Sequence, residues 1–230
     1  MNAQKLSKRL AMVASFVPQD AVVADIGSDH AYLPCYLVHN NIAKSAVAGE
    51  VVDGPYQSAC QEVKHEQLQD KIIVRLADGM DAIEKEDGVT AVTIAGMGGP
   101  LIASILNKDL SRLTTVERLI LQPNIHAISI RQWAQQHGWA IIDEEILEED
   151  DKIYEVLVLE RGQQHLSPAE LLIGPKLIDK RNDVFIEKWT REITQWQHIL
   201  ASLEKADNTE AIKTKKEELM SKITLVKEVL

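Results

Sequence analysis

VVADIGSDHAYLP, residues Val22 to Pro34, carries the pattern on which the fold turns. Its first half belongs to Ala21–Ile26, a short apolar run with β-branched residues, preceded by Pro18 and Asp20 and closed by Gly27. That pattern is a buried strand. From Ala31 to Asn40 the apolar spacing becomes helical. Strand, glycine turn and helix in direct succession open an α/β fold, and glycine at such a turn lets a ligand approach the backbone. Several kinds of α/β ligand-binding protein share a turn of this sort.

Outward from this unit the alternation continues. Ser45–Gly49 reads as a second strand ending in Glu50, with helix from about Asp53 to Gln67. Strands follow at Ile72–Leu76, Val89–Ala95 and Leu119–Leu121, with helices at Leu101–Leu106 and Ala127–Gln136. Trp139–Leu147 and Ile153–Leu159 bracket an acidic stretch as a hairpin. The expectation is a Rossmann-like α/β fold with a seven-stranded, mostly parallel sheet covered on both faces and an antiparallel last strand. Upstream, Lys5, Lys8 and Arg9 followed by LAMVASFV imitate a signal peptide. Leu6, Leu10, Val13 and Val17 instead form one helical stripe, and no convincing cleavage site follows, so the segment is expected to stay in the mature protein.

The pattern changes at Ser167, where Ser167, Pro168 and Glu170 supply an N-cap, a first-turn proline and a capping-box acid. Ile186, Trp189, Ile193, Trp196, Leu200 and Leu203, then Ile212, Lys216, Leu219, Ile223, Val226 and Leu230, recur at helical spacing around a break at Ala206–Thr209. They predict a two-helix coiled-coil hairpin, with Trp189 and Trp196 in its seam. The chain therefore divides into a Rossmann-like domain, 1–162, and a helical extension, 163–230.

The formal charge is −10, with 25 Lys and Arg against 35 Asp and Glu. Residues 166–230 carry eleven of each sign, so the acidity belongs to the first part. A chain of this charge does not adhere to polyanions generically, and a nucleic-acid partner must be met through a local basic surface. Asp143, Glu144, Glu145, Glu148, Glu149, Asp150 and Asp151 read as a solvated hairpin tip, and no metal is expected. Cys35 and Cys60 are too few for a disulfide framework and read as buried small hydrophobes in a reducing compartment. No apolar run approaches the roughly 20 residues that cross a bilayer. A soluble, cytoplasmic protein is expected.

In an open parallel sheet the ligand sits beyond the carboxyl ends of the strands. Four turns there are chemically marked. Asp25, Gly27, Ser28, Asp29 and His30 follow the first strand; Glu50 follows the second, where an acid suits two ribose hydroxyls. Asp78 and Gly79 follow the third, where an acceptor can meet an adenine amine. Ala95, Gly96, Met97, Gly98 and Gly99 follow the fourth, with more glycine than a simple turn requires. GMGG lacks the lysine of a triphosphate-binding loop, and GSDHAY lacks the GxGxxG of a dinucleotide fold. The acids suit an adenosyl ligand without phosphates.

With KLSKRL, ADIGSDHAYLP, AGEVVDGP, TIAGMGG, LILQPN and EEDDKIYEVLV in place over residues 5–160, the chain resembles the class I methyltransferases, and among them the bacterial tRNA (adenine-N1)-methyltransferase family that modifies position 22. The resemblance implies S-adenosyl-L-methionine as cofactor, tRNA as substrate and a coiled-coil extension. It also implies that Asp25, Gly27, Ser28, His30, Glu50, Val51, Asp78, Gly79, Ala95, Gly96 and Met97 line the cofactor pocket. Asp29 is the candidate carboxylate for the exocyclic amine of the reacting adenine, with a helix cap as its plainer role. Gln122 and Asn124, after the fifth strand, are candidates to read the adenine edge.

Lys5, Lys8, Arg9, Lys176, Lys180, Arg181, Lys213, Lys215 and Lys216 are the cations available to RNA phosphates. No protein partner is required by this reading. Two alternatives remain at this point: a small-molecule methyltransferase whose hairpin serves dimerisation, and a noncatalytic RNA-binding protein that keeps a cofactor pocket.

Overall fold

The structure, a computed structural model, describes residues 2–205 and 209–230. Contacts divide the chain into two compact units, one ending at Gln164 and the other running from His165 to Leu230. In the first, α1 (Lys8–Ser15) precedes the alternation β1 (Ala21–Ile26), α2 (Tyr32–His39), β2 (Ala43–Glu50), α3 (Asp53–His65), β3 (Ile72–Leu76), β4 (Ala91–Gly98), α4 (Gly99–Lys108), β5 (Arg118–Ile125), α5 (Ile128–Gln136), β6 (Trp139–Glu149) and β7 (Lys152–Arg161). The strands form one sheet in the order β3-β2-β1-β4-β5-β7-β6. Strands β1 to β5 pair in parallel, while β7 lies antiparallel between β5 and β6. The strand order reverses between β1 and β4, where open α/β sheets hold their ligands.

The apolar run of β1 is buried because the sheet is covered on both faces. Val23 and Ala24 are fully enclosed, as are Ala91, Val92 and Ile94 of β4 and Leu119, Ile120 and Leu121 of β5. Of the N-terminal stripe, Val13 and Val17 are core and Leu6 and Leu10 pack against it. The helix itself is shorter than the stripe, since Ser7 caps it by accepting from Leu10 N–H. Cys35 is buried and its thiol is pushed up to about 12, first by burial and then by Glu62 and Glu66. Cys60 is only half-buried, not enclosed as its small apolar character suggested.

The acidic stretch is not a solvated tip. Its residues belong mostly to β6, and alternation along a strand sends every second one inward. Glu144 is fully buried and accepts from Arg131 Nε at 2.7 Å, while Arg131 Nη2 donates to Glu155 on β7 at 2.6 Å. Glu149 accepts from the backbone N–H groups of Lys8 and Arg9 at 2.6 and 3.1 Å, capping α1. Asp150 and Asp151 alone form the turn, both at positive φ.

In the second unit, Ser167 and Glu170 form the expected capping box at the start of α6 (Pro168–Ile173), followed by α7 (Pro175–Lys180), α8 (Asp183–Leu203) and α9 (Glu210–Val229). Arg181, just before α8, donates to the carbonyl of Leu230 at the end of α9, so the two long helices run antiparallel. Trp189 is buried and packs against Phe185, whereas Ile186 and Leu230 are exposed. Phe185 rather than Ile186 is the buried residue, standing four residues from Trp189 on one face of the helix. Of the break expected at Ala206–Thr209, residues 206–208 lie outside the described residues, and Thr209 caps α9.

Candidate cofactor and substrate site

The turn after β1 is built around Asp25. Its carboxylate is buried and accepts from Ser28 Oγ and from Thr93 Oγ1 on β4, each at 2.6 Å. Burial raises its pKa to about 6; the two hydroxyls oppose that shift and Glu50 adds to it. Asp25 thus ties the β1 turn to β4 from beneath. Gly27 stands at φ +74°, and a Cβ there would meet Met97 Cε at 2.2 Å, so the β4 turn folds directly over the β1 turn.

Beyond Gly27 the backbone alternates into the left-handed region, at Asp29 (φ 57°) and Ala31 (φ 55°). Such a run in non-glycine residues is costly and marks functional turns. It is held by Gly27 N–H and Ser28 N–H donating to Gly49 carbonyl at 2.9 and 3.2 Å, and by Asp29 N–H donating to the Glu50 carboxylate. Glu50 is buried, and burial raises its pKa. Asp29 does not cap α2. The N-cap is Ala31 and has no side-chain bond; the Asp29 carboxylate is exposed and sits 3.0 Å from His30 Nδ1.

The β4 turn explains its glycines separately. Pairing of β4 with β5 slips between Ala95 and Met97, which makes Gly96 a bulge at φ +81°. A bulge leaves backbone groups without ladder partners. Gln122 Oε1 accepts from Gly96 N–H at 2.9 Å, and Asn124 Nδ2 donates to Gly96 carbonyl at 2.7 Å. Gln122 is fully buried; its Nε2 donates to Pro123 carbonyl, and its Oε1 also accepts from Arg9. The reading that aimed the Gln122 amide at an adenine edge is therefore corrected, since the bulge consumes it. Asn124 is committed in part and lies exposed at the turn surface. Gly99 is required by contact, because a Cβ there would lie 2.1 Å from His126 carbonyl oxygen.

Asp78 is exposed after β3, bound at 2.8 Å by Lys108 Nζ, which also meets Asp81 at 2.9 Å. Gly79 packs beneath Ile105, while Val51 stands exposed at the cleft rim beside Glu50. The structure thus gathers Asp25, Gly27, Ser28, Asp29, His30, Glu50, Ala95, Gly96 and Met97 at the β1/β2/β4 edge, with Asp78 and Gly79 one strand further out. Thr93 was missed by sequence reasoning, although a hydroxyl in the apolar run TIAGM was a legible signal. Lys108 and Glu149 carried none, because each depends on a contact distant in sequence.

The acids and glycines at the strand ends fit S-adenosylmethionine. Buried acids at the ends of β1 and β2 match an ammonium and a ribose diol, and Gly27 leaves no room for a Cβ because Met97 fills the space above it. Sheet order, switch point and acid placement define a class I S-adenosylmethionine-dependent methyltransferase. The model of the tRNA (adenine(22)-N(1))-methyltransferase family matches residues 23–228, and this chain belongs to that family. It is 50% identical over 236 residues to the tRNA (adenine(22)-N(1))-methyltransferase of Bacillus subtilis strain 168, covering 100% of this chain and 99% of the relative. A Streptococcus pneumoniae structure in complex with S-adenosyl-L-methionine is 48% identical, with a TM-score of 0.90 over 98% of this chain and 100% of that one. M. capricolum TrmK bound to S-adenosyl-homocysteine is 30% identical, with a TM-score of 0.86 over 97% of this chain and 96% of that one.

Proposed function

We propose that this protein transfers the methyl group of S-adenosylmethionine to N1 of adenine 22 in the D arm region of tRNA, leaving N1-methyladenosine and S-adenosylhomocysteine. The observation that carries the reading is the gathering of Asp25, Ser28 and Glu50 with the glycine turns of β1 and β4 at the switch point of the sheet, in a chain that matches a relative of this activity along its whole length. When bound, S-adenosylmethionine supplies a methyl group already activated by its sulfonium.

The residues of this chain then have three tasks. Asp25, Gly27, Ser28, His30, Glu50, Val51, Asp78, Gly79, Ala95, Gly96 and Met97 hold the cofactor. Gln122 and Asn124 act as positioning residues by fixing the bulge that faces the base. Asp29 accepts from the exocyclic amine and stabilises the positive charge that builds on the ring as N1 reacts. N1 is a neutral lone-pair donor, so no base is needed to activate it. It lies on the pairing edge, so the adenine must enter unpaired or flipped. GMGG stands where enzymes that methylate the exocyclic amine carry NPPY or DPPY, which favours N1 over N6.

Residues 1–162 form the catalytic domain and 163–230 an antiparallel coiled-coil hairpin that contributes to RNA binding, in a cytoplasmic enzyme. No helix among the described residues is long and apolar enough to cross a membrane. Nucleoside mass spectrometry of unmodified tRNA, incubated with protein and S-adenosylmethionine, tests the reading. N1-methyladenosine at position 22 is expected; transfer to small metabolites with none to tRNA would favour the small-molecule reading.

A further inference from the structure

Among the described residues, Arg9 is a site-facing cation that the cofactor and base assignments leave unused. The route to it begins at Glu149, whose carboxylate caps α1 through the N–H groups of Lys8 and Arg9. This places the Arg9 guanidinium 5.4 Å from the centroid of the Tyr154 ring, which supports its face. From there Nη1 donates to Gln122 Oε1 and lies 3.6 Å from where a Cβ of Gly96 would stand. Arg9 is half-buried, and among the described residues no carboxylate pairs with it. Arg75, Arg112, Arg118, Arg131 and Arg191 each have a carboxylate partner.

A cation withdrawn from water beside neutral groups is set up for an incoming anion, and a planar guanidinium with donors to spare matches an oxyanion geometrically. The balance of the cleft points the same way. Asp25, Asp29 and Glu50 gather acidic groups at the β1 and β2 ends of the site, and Lys108 is occupied by Asp78 and Asp81. The cofactor has two cationic groups, which those acids suit, and one carboxylate, which they repel. A phosphodiester flanking the target nucleotide is the other oxyanion that the reaction brings to the β4 turn.

We infer that Arg9, braced by Glu149, Tyr154 and Gln122, is an oxyanion receptor at the β4 turn, taking either the cofactor carboxylate or a phosphodiester next to the reacting adenosine. The inference rests on the methyltransferase reading and gives α1 a role in the site. Arg9→Gln removes the charge while keeping an amide able to donate to Gln122, and Arg9→Lys keeps the charge.

S-adenosylhomocysteine binding is measured by calorimetry, and binding of unmodified tRNA across a salt series, on the full chain with each variant. A carboxylate receptor gives Arg9→Gln at least tenfold weaker S-adenosylhomocysteine binding with an unchanged salt slope for tRNA. A phosphate receptor leaves S-adenosylhomocysteine within twofold, lowers the tRNA slope by about 0.7 to 0.9, and makes a methylphosphonate beside the target adenosine harmless in Arg9→Gln but not in wild type. Either result is supported by partial recovery in Arg9→Lys.

Both affinities within twofold of wild type overturn the inference. So do equal losses in the two variants accompanied by a lowered melting temperature, which mark Arg9 as a packing residue only. Methyl transfer by the wild type is assayed in parallel. Its absence from tRNA would defeat the N1 reading, while the S-adenosylhomocysteine titration would still judge the carboxylate arm.

Discussion

Asp29 is proposed to meet a backbone and a chemical requirement at once. At φ 57° it occupies a region that asparagine tolerates nearly as well as aspartate, so Asp29→Asn isolates the charge. We expect methyl transfer under single-turnover conditions to fall about a hundredfold, with S-adenosylhomocysteine affinity and melting temperature unchanged; an active Asp29→Asn enzyme would remove Asp29 from the chemistry. Asp25 is the opposite case, a carboxylate whose environment favours its proton. Its folded pKa of about 6 lies above the ordinary aspartate value of 3.8, so the folded state keeps a proton that the unfolded chain has lost. The stability this contributes is present below pH about 4 and is lost as pH rises through 6, by roughly 3 kcal/mol. Urea unfolding should show wild type gaining that amount on Asp25→Asn between pH 7 and pH 4. A constant difference would contradict the buried-carboxylate account.

At the scale of elements, the site is an agreement among turns. The β4 turn meets the β1 turn through Met97 over Gly27, and the loop before α5 through Gly99 against His126. Gly99→Ala forces a side chain into backbone that has no room to yield. Thermal unfolding should register a loss of roughly 3 kcal/mol, together with reduced cofactor binding because the two turns separate. The α5–β6–β7 corner is held differently, by Arg131 enclosed with Glu144 and Glu155. Arg131→Met leaves two buried carboxylates without their cation and should cost about 3 to 5 kcal/mol. Unfolding in denaturant will measure it; because the triad is remote in sequence and strand order from the β1 turn, folded Arg131→Met should keep its S-adenosylhomocysteine affinity.

For the whole molecule the question is how a chain of formal charge −10 would bind a polyanion. The charge deficit lies wholly in residues 1–165, and the remainder is balanced, so RNA contact must come from local groups of cations. Several candidate lysines also pair within their own helices, Lys215 with Glu218 at 3.0 Å and Lys213 with Glu210 at 3.7 Å. Exposed pairs of this kind are weak and exchange readily for a phosphate. Affinity for tRNA should therefore drop steeply with salt, by about 40-fold between 50 and 200 mM if three phosphates are neutralised. Filter binding across a salt series measures this, and a flat response would mean that shape and base contacts dominate.

The strand boundaries Ala21–Ile26 and Ile72–Leu76, the capping box at Ser167 and the acids ending β1 and β2 were legible in the sequence. Each depends on neighbours within a few residues: apolar period, turn chemistry, capping. The insertion of β7 between β5 and β6 was not legible, nor was the burial of Glu144, nor that of Phe185 rather than Ile186. The same holds for Gln122, read as an adenine contact until its amide met the Gly96 bulge, and for Arg9, read as a surface cation until Glu149 drew α1 onto the sheet. These outcomes rest on pairings between residues up to 141 positions apart. Local chemistry set which groups this chain has at the ends of its strands, and tertiary packing decided which of them remain available to a ligand, because a buried polar group takes whatever partner the fold brings within reach.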